Sequence, residues 1–354
     1  MSRQTSLTAH LSGLVRAVAS NPGLRSALRR RELLVKGRIN RLLGQSASEE
    51  DVRAYESMRQ ENKTSGELYT AGEFWERLNR QHANAIWGGG LDSLRNEYFN
   101  RTFSGPEPES RQVYRALLFL YYKHVKQLDV DGFLDAHEDP PIGGTADQET
   151  VLGRTYSLDF LQSVEEAYRI RNSWAQAGRN GSPRVIVELG AGYGRLAHVC
   201  RRMLPDCTYV ILDLPEALIC SQSWLSRVLE ANVVPYETTR RYERLGRGFL
   251  EGGKVLLFLP HMIESLENDA VDAFVNIYSF AEMPPKAIAN YFHHLDRITN
   301  GVLYTKQRQD EINVYDGARV SEQSYPIPQH WRRLFRSVST LYESFFEASY
   351  ATRG

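Results

Sequence analysis

The sequence predicts an open, mostly parallel, doubly wound α/β sheet preceded by a helical subdomain. From residue 184 onward, short apolar and β-branched runs alternate with amphipathic helical stretches, the pattern of strands buried on both faces and joined by crossover helices. The first of these runs ends in a glycine-rich turn that opens a helix, and the next closes on an acidic residue, as in nucleotide-binding α/β units. Upstream, apolar residues recur mostly at spacings of three and four, which is a helical period.

Taken in order, residues 1–48 form a basic helical leader or arm. Arg16, Arg25, Arg29, Arg30, Arg31, Lys36, Arg38 and Arg41 meet few acids, and Leu14, Val18, Leu24, Leu28 and Leu34 are scattered among them. Such a segment serves as a solvated or oligomerisation arm, making the chain a candidate homo-oligomer, or touches an anionic membrane peripherally. Small polar residues at 45–48 break it from a helical subdomain over 49–145. That subdomain carries Leu68, Phe74, Trp75 and Leu78, then Val113, Leu117, Leu118, Tyr121 and Tyr122. Gly88, Gly89 and Gly90 between them suit a hinge, a close approach or a plain loop. Pro140, Pro141, Gly143 and Gly144 mark a linker or an active-site flap.

The sheet domain spans 146–354, with strands expected at 185–189, 209–212, 255–259, 273–277 and 302–304. Its clearest helix is opened by Pro284 and Pro285, carries Ile288, Tyr291, Phe292, Leu295 and Ile298 on one stripe, and is closed by Asn300 and Gly301.

Composition narrows the function classes. The chain has 354 residues, 42% of them hydrophobic, enough for about two structural units. Its 43 basic and 43 acidic side chains cancel, so it lacks the positive field of a general nucleic-acid binder. Three cysteines, Cys200, Cys207 and Cys220, form no C-x-x-C pair, so neither a disulfide framework nor a zinc site is expected, and a reducing cytoplasm fits. No stretch of 18 uninterrupted apolar residues occurs, so no spanning helix is expected.

The informative segment is RVIVELGAGYGRLAHVCRRMLPDCTYVILDLPEAL, residues 184–218. A strand ends near Glu188, the turn carries Gly190, Gly192 and Gly194, and Asp213 closes the following strand. Alternate glycines let backbone approach a ligand where a β-carbon would collide, and a carboxylate at the second strand end accepts bonds from both ribose hydroxyls. A dinucleotide fingerprint needs a third glycine where this chain has Arg195, and no phosphate-binding P-loop motif occurs.

The remaining pattern, acid-x-G-x-G-x-G followed by an acid at the next strand end, resembles the class I S-adenosylmethionine-dependent methyltransferases, whose domain is Rossmann-like. The resemblance implies that Glu188 helps hold the methionine ammonium, that Gly190, Ala191, Gly192 and Gly194 line the cofactor, and that Asp213, with Leu214 beside it, grips the ribose. Residues 258–307, FLPHMIESLENDAVDAFVNIYSFAEMPPKAIANYFHHLDRITNGVLYTKQ, with WGGGLDSLRNEYFN and the closing SFFEASY, look like the sugar O-methyltransferase family. That resemblance covers most of the chain from about residue 85 and implies a sugar or glycan acceptor, as in polysaccharide biosynthesis. The family commonly has His before the glutamate at 282; here Ala281 stands there, so no role of that His transfers.

Methyl transfer to a sugar hydroxyl is an in-line displacement in which the acceptor is aligned and loses its proton as the new bond forms. Ligands of open α/β sheets bind at the carboxyl ends of the strands, which selects His261 and Glu282 as candidate catalytic residues. His261 is open to three roles: adenine contact, base, or helix cap. Glu282 is either base and hydroxyl acceptor or a stabiliser of the next helix start. Lys306 either meets an acidic acceptor or is solvated. His293 and His294 are neighbours on a helix and share no face, so no metal pair is expected, and no oxygen-ligand spacing for a metal is readable. Trp87, Tyr98, Phe99, Tyr278 and Trp331 lie near suggestive loops and suit either stacking or core.

Two rival readings remain: the same cofactor with a phenol or other small acceptor, and a cofactor-binding regulatory protein without turnover. The N-P-P-[YFW] signature of amine and base methylation is absent where Asn276, Ile277, Tyr278 and Ser279 follow one another.

Overall fold

The computed structural model describes residues 49–70, 111–143, 148–229, 232–312, 317 and 319–353. The basic leader, the triple glycine and the aromatic positions Phe74, Trp75, Trp87, Tyr98 and Phe99 lie outside the described residues. The described chain begins with α1 (Glu49–Thr64) and α2 (Arg111–Leu128), a short antiparallel pair β1 (Glu149–Val151) and β2 (Arg154–Tyr156), and α3 (Leu158–Gln176). Then β3 (Val185–Leu189), α4 (Arg195–Met203), β4 (Thr208–Leu212), α5 (Pro215–Val228), β5 (Val233–Val234), β6 (Val255–Phe258), β7 (Val271–Ile277), α6 (Pro285–Ile298) and β8 (Thr299–Arg308) follow in alternation. A hairpin of β9 (Asp310–Ile312) and β10 (Arg319–Ser321) precedes β11 (Arg332–Val338) and β12 (Phe345–Ala351).

The main sheet has the order β11-β12-β8-β7-β3-β4-β6-β5. Strands β5, β6, β4, β3, β7 and β8 run parallel, and β12 enters antiparallel beside β8 with β11 on its outer edge. This is the Rossmann-like, mostly parallel doubly wound sheet expected, with an antiparallel edge pair that the alternation of elements did not announce. Every residue of β3, β4, β6 and β7 is buried, so helices cover both faces, and each large apolar side chain so buried contributes roughly 1.5–3 kcal/mol. The chain leaves β3 toward β4 and β6 on one side and returns to β7 and β8 on the other. The reversal opens a crevice at the carboxyl ends of β3 and β7.

Local chemistry sets the helix ends. Ser157 caps α3 by accepting the Phe160 N–H at 3.1 Å, and proline begins both α5 and α6. The far end of α6 differs from expectation. The helix stops at Ile298 and β8 starts at once, with Asn300 and Gly301 inside the strand. A β-carbon on Gly301 would lie 2.1 Å from the Asp272 carbonyl oxygen and 2.6 Å from the Trp174 ring. The glycine therefore lets β8 press against β7 and α3 and does not cap a helix.

Helix α1 packs on α5, and α2 packs on α3. Tyr55 and Met58 of α1, Leu118 and Val125 of α2, and Val187 and Ile211 of the sheet join one continuous buried cluster. The three cysteines are buried and unpaired. No helix among the described residues is long and apolar enough to cross a membrane.

Candidate active site

The glycine turn sits at the topological switch point. Gly190, Gly192 and Gly194 have φ values of 80°, 61° and 88°, in the left-handed region that side chains rarely adopt. At Gly190 the need is also steric, because a β-carbon would lie 2.5 Å from both Cβ and Oγ of Ser279. The turn is fastened where the Gly190 N–H meets the Leu212 carbonyl at 2.9 Å and where Ser221 Oγ donates to the Gly192 carbonyl at 2.6 Å.

Asp213 is half-buried at the end of β4 and faces this turn. Its carboxylate accepts the Gly192 N–H at 2.8 Å and the Leu214 N–H at 2.7 Å. Burial pushes its carboxyl up to about 7, against the pull of those backbone donors. Glu188, one strand over, is buried and accepts the Tyr209 hydroxyl at 2.7 Å. Burial pushes it up to about 7 as well, with Tyr209 and Arg195 pulling down and Glu166 and Asp213 adding repulsion. A small cavity lies between Glu188, the glycine turn and Ile277 of β7.

Arg195 begins α4 at the position of the absent third glycine, and its guanidinium turns away into α3. It donates to Ser163 at 2.9 Å and Glu166 at 2.6 Å, with Asp159 at 3.4 Å. Tyr193 donates to the same Asp159. Lys306, read from the sequence as solvated or acceptor-facing, is neither: it is buried, with Nζ 3.1 Å from Glu166 and 3.5 Å from Glu347. Arg169, Glu165 and Tyr121 extend this network, in which Tyr121 of α2 donates to Glu165 of α3.

The loop after β7 is braced from three strands. Asn276 donates to the Leu189 carbonyl at 3.0 Å and to Ser279 Oγ at 2.6 Å, while Gln307 donates to Asn276 Oδ1 at 2.6 Å. Under this bracing Tyr278 takes φ 67°, a conformation unusual for a bulky residue. Glu282 closes the 3-10 turn Ser279–Glu282 and is half-buried.

His261 lies after β6, across β3 and β4 from Glu282. Three strand spacings put the two loops about 14 Å apart laterally. His261 stands 3.5 Å from Glu61 of α1, its Nδ1 is buried without a hydrogen-bond partner, and burial lowers its pKa. The segment that follows α1 forms a strap along this rim. Within α1 itself Tyr55 donates to Glu216 at 2.9 Å, and on the strap Tyr69 meets Glu264 at 2.6 Å, Asn290 at 3.0 Å and His294 at 3.1 Å. His294 is buried, and desolvation with the nearby Arg297 charge lowers it to about 4, so the His293 and His294 pair divides into one buried and one surface-facing ring.

The sequence singled out Glu188, the glycines, Asp213, His261, Glu282 and Tyr278 but not Asn276, Ser279, Gln307 or the strap. Their roles rest on contacts between strands distant in the chain, which no local pattern marks.

No family model matches the chain, and no curated protein matches it. Solved structures do. Geranyl diphosphate C-methyltransferase from Streptomyces coelicolor A3(2) is similar over 55% of this chain and 79% of its own, at 14% identity and a TM-score of 0.36. Magnesium protoporphyrin IX methyltransferase from Synechocystis PCC 6803 is similar over 69% of this chain and 100% of its own, at 10% identity and a TM-score of 0.38. At scores below 0.5 these likenesses say nothing about the acceptor of this chain.

Proposed function

We propose that this chain is an S-adenosylmethionine-dependent O-methyltransferase whose acceptor is a hydroxyl of a sugar or glycan intermediate. The observation that carries the cofactor is the pair Glu188 and Asp213: two carboxyls at adjacent strand ends beside an alternating glycine turn, with Asp213 satisfied only by backbone N–H groups. Each carboxylate oxygen of Asp213 keeps a lone pair for a ribose hydroxyl. Carboxyls held near neutrality by burial gain from a cationic ligand. The residues present therefore fit a cationic nucleoside better than a pyrophosphate, and Arg195 leaves no room in the pattern for a dinucleotide turn.

The bound cofactor supplies an electrophilic methyl group on a sulfonium. The chain's own residues do the rest. Glu188 faces the ammonium end, Gly190, Ala191, Gly192 and Gly194 form the floor, and Asp213 with Leu214 holds the ribose. His261, on the Asp213 side of the sheet, belongs with the nucleoside. Glu282, on the loop beyond β7, takes the acceptor proton as the methyl is transferred. What supports the sugar class is the resemblance of residues 258–307 to the sugar O-methyltransferases.

The test is calorimetric titration of the wild type, Asp213→Ala and Gly192→Val with S-adenosylhomocysteine, with NAD as control. Expected is binding by the wild type, weakened by ~1.5–3 kcal/mol in Asp213→Ala through loss of bonds to a charged group, and no response to NAD. A folded wild type that ignores S-adenosylhomocysteine would falsify the cofactor assignment.

A further inference from the structure

Helix α1 and the strap after it, residues 65–70, are tied in turn to three elements of the carboxyl rim. Tyr55 of α1 donates at 2.9 Å to Glu216, which follows Asp213 at the start of α5. Glu61, near the other end of α1, pairs with Arg240 at 2.7 Å and stands 3.5 Å from His261 on the loop after β6. Tyr69 then reaches α6, where its ring meets Tyr291 edge-on with the centroids 6.0 Å apart. Tyr69 and Asp213 are the groups whose charge acts on the buried Tyr291 hydroxyl. The end of the strap therefore stands on the Asp213 side of the crevice.

One side chain holds the strap down. Among residues 65–70 only Tyr69 is buried, while Gly66, Glu67 and Leu68 are exposed. Gly66 has φ 96°, and no atom lies within 4 Å of where its β-carbon would be, so the chain is free to turn there. The Tyr69 hydroxyl, in contrast, is fully matched. It donates to Glu264 at 2.6 Å and accepts from Asn290 at 3.0 Å. Arg297 Nε donates to His294 Nδ1 at 3.1 Å, so in the neutral ring Nε2 carries the proton and donates to Tyr69 at 3.1 Å. A phenol with three partners, on a segment with little else buried, is a latch: the strap opens locally once those bonds break.

We propose that residues 65–70 are a gate at the nucleoside end of the crevice, latched by Tyr69 to Glu264, Asn290 and His294, which lifts about Gly66 when an S-adenosyl ligand enters or leaves. This rests on the methyltransferase reading above and adds the route of its cofactor. The latch touches α6 and the loop after β6 and not the ligand, so it favours closure equally with and without ligand. Weakening it speeds entry and exit alike and leaves the affinity as it was.

The full-length chain is compared with Tyr69→Phe and Glu264→Gln, with thermal melts reporting that each is folded. Cleavage after Glu67 by a glutamate-specific protease, mapped by mass, follows the population of the lifted strap. Stopped-flow tryptophan fluorescence with S-adenosylhomocysteine gives the rate constants, since Trp224 lies edge-on to Tyr193 of the glycine turn at 4.9 Å, and calorimetry gives Kd. Expected in Tyr69→Phe are cleavage, association and dissociation each about 10-fold faster, with Kd within about twofold of the wild type. Glu264→Gln should move all three rates the same way by less. A strap cleaved no faster in Tyr69→Phe overturns the latch. Faster cleavage with unchanged association and dissociation, or with a faster exit alone, overturns the gate and leaves the cofactor reading standing. Faster cleavage with no S-adenosylhomocysteine binding by any of the three proteins overturns the cofactor reading, and the gate with it.

Discussion

Gly190 and Ser279 touch across the crevice so closely that a single β-carbon on the glycine would lie 2.5 Å from the serine Cβ and Oγ. Ser279 in turn donates to the Leu189 carbonyl at 3.0 Å, so the loop after β7 is bolted to the glycine turn after β3. The ligand-binding rim and the loop carrying Glu282 are thus one mechanical unit. Gly190→Ala forces Ser279 away and places alanine at φ 80°. The expected cost is about 1–3 kcal/mol of stability, measured by urea denaturation. S-adenosylhomocysteine affinity and turnover should fall together, and loss of one without the other would separate the two loops.

The protonation of Glu188 and Asp213 predicts a pH profile. Burial pushes each carboxyl up to about 7 in the ligand-free fold, whereas the unfolded chain releases those protons near the ordinary carboxylate value. Between about pH 4 and 7 the folded state binds more protons, so stability falls as pH rises through that window. The ligand's ammonium favours ionised Glu188 and ribose hydroxyls donating to Asp213 favour its ionised form, so S-adenosylhomocysteine binding should release protons and tighten from about pH 5.5 to 8. Titration in buffers of different ionisation enthalpy counts the protons. A flat affinity over that range would remove both groups from the ligand's neighbourhood.

Glu282 and His261 stand on opposite sides of β3, which separates their expected phenotypes. Glu282→Gln should lower kcat by ~10²–10⁴-fold, the usual scale for a lost general base, with cofactor affinity nearly unchanged. His261→Ala should act in the other direction, weakening S-adenosylhomocysteine binding while kcat at saturating cofactor holds. Steady-state kinetics with a sugar acceptor decides between them, and a kcat effect confined to His261→Ala would exchange the assignments.

What the sequence disclosed and what it hid follow one physical rule. The arrangement of Glu188, the glycines and Asp213 was legible because a strand, a turn and the next strand end follow one another closely in the chain, and the short parallel strands because they are mostly apolar and wholly buried. Strand β11 was not legible: RRLFRSV is a charged edge strand, and a register shift between Arg333 and Phe335 breaks its alternation. Gly301 was misread as a helix stop because its constraint is the Asp272 carbonyl on the neighbouring strand. Tyr278, Asn276 and Gln307 likewise take their roles from partners that no local spacing reveals.

Lys306 is the sharpest case, since a lysine at a strand end reads as solvated until Glu166, 140 positions earlier, is seen beside it. Its ammonium lies between Glu166 and Glu347, and their charges raise its pKa despite burial. Lys306→Met removes the cation and leaves the carboxylates opposed in a buried site, so the expected loss is about 3–5 kcal/mol. A solvated lysine would cost under about 0.5 kcal/mol. The loss should shrink at low pH, because burial already raises Glu347, and a proton taken up there replaces the missing charge. Adding Glu347→Gln to Lys306→Met should restore part of the stability at neutral pH, the coupling expected of groups in one network. Urea denaturation of both variants at two pH values measures this. Equal losses at both pH values, with no recovery in the double variant, would assign the effect to lost packing of the lysine stem and not to the buried charges.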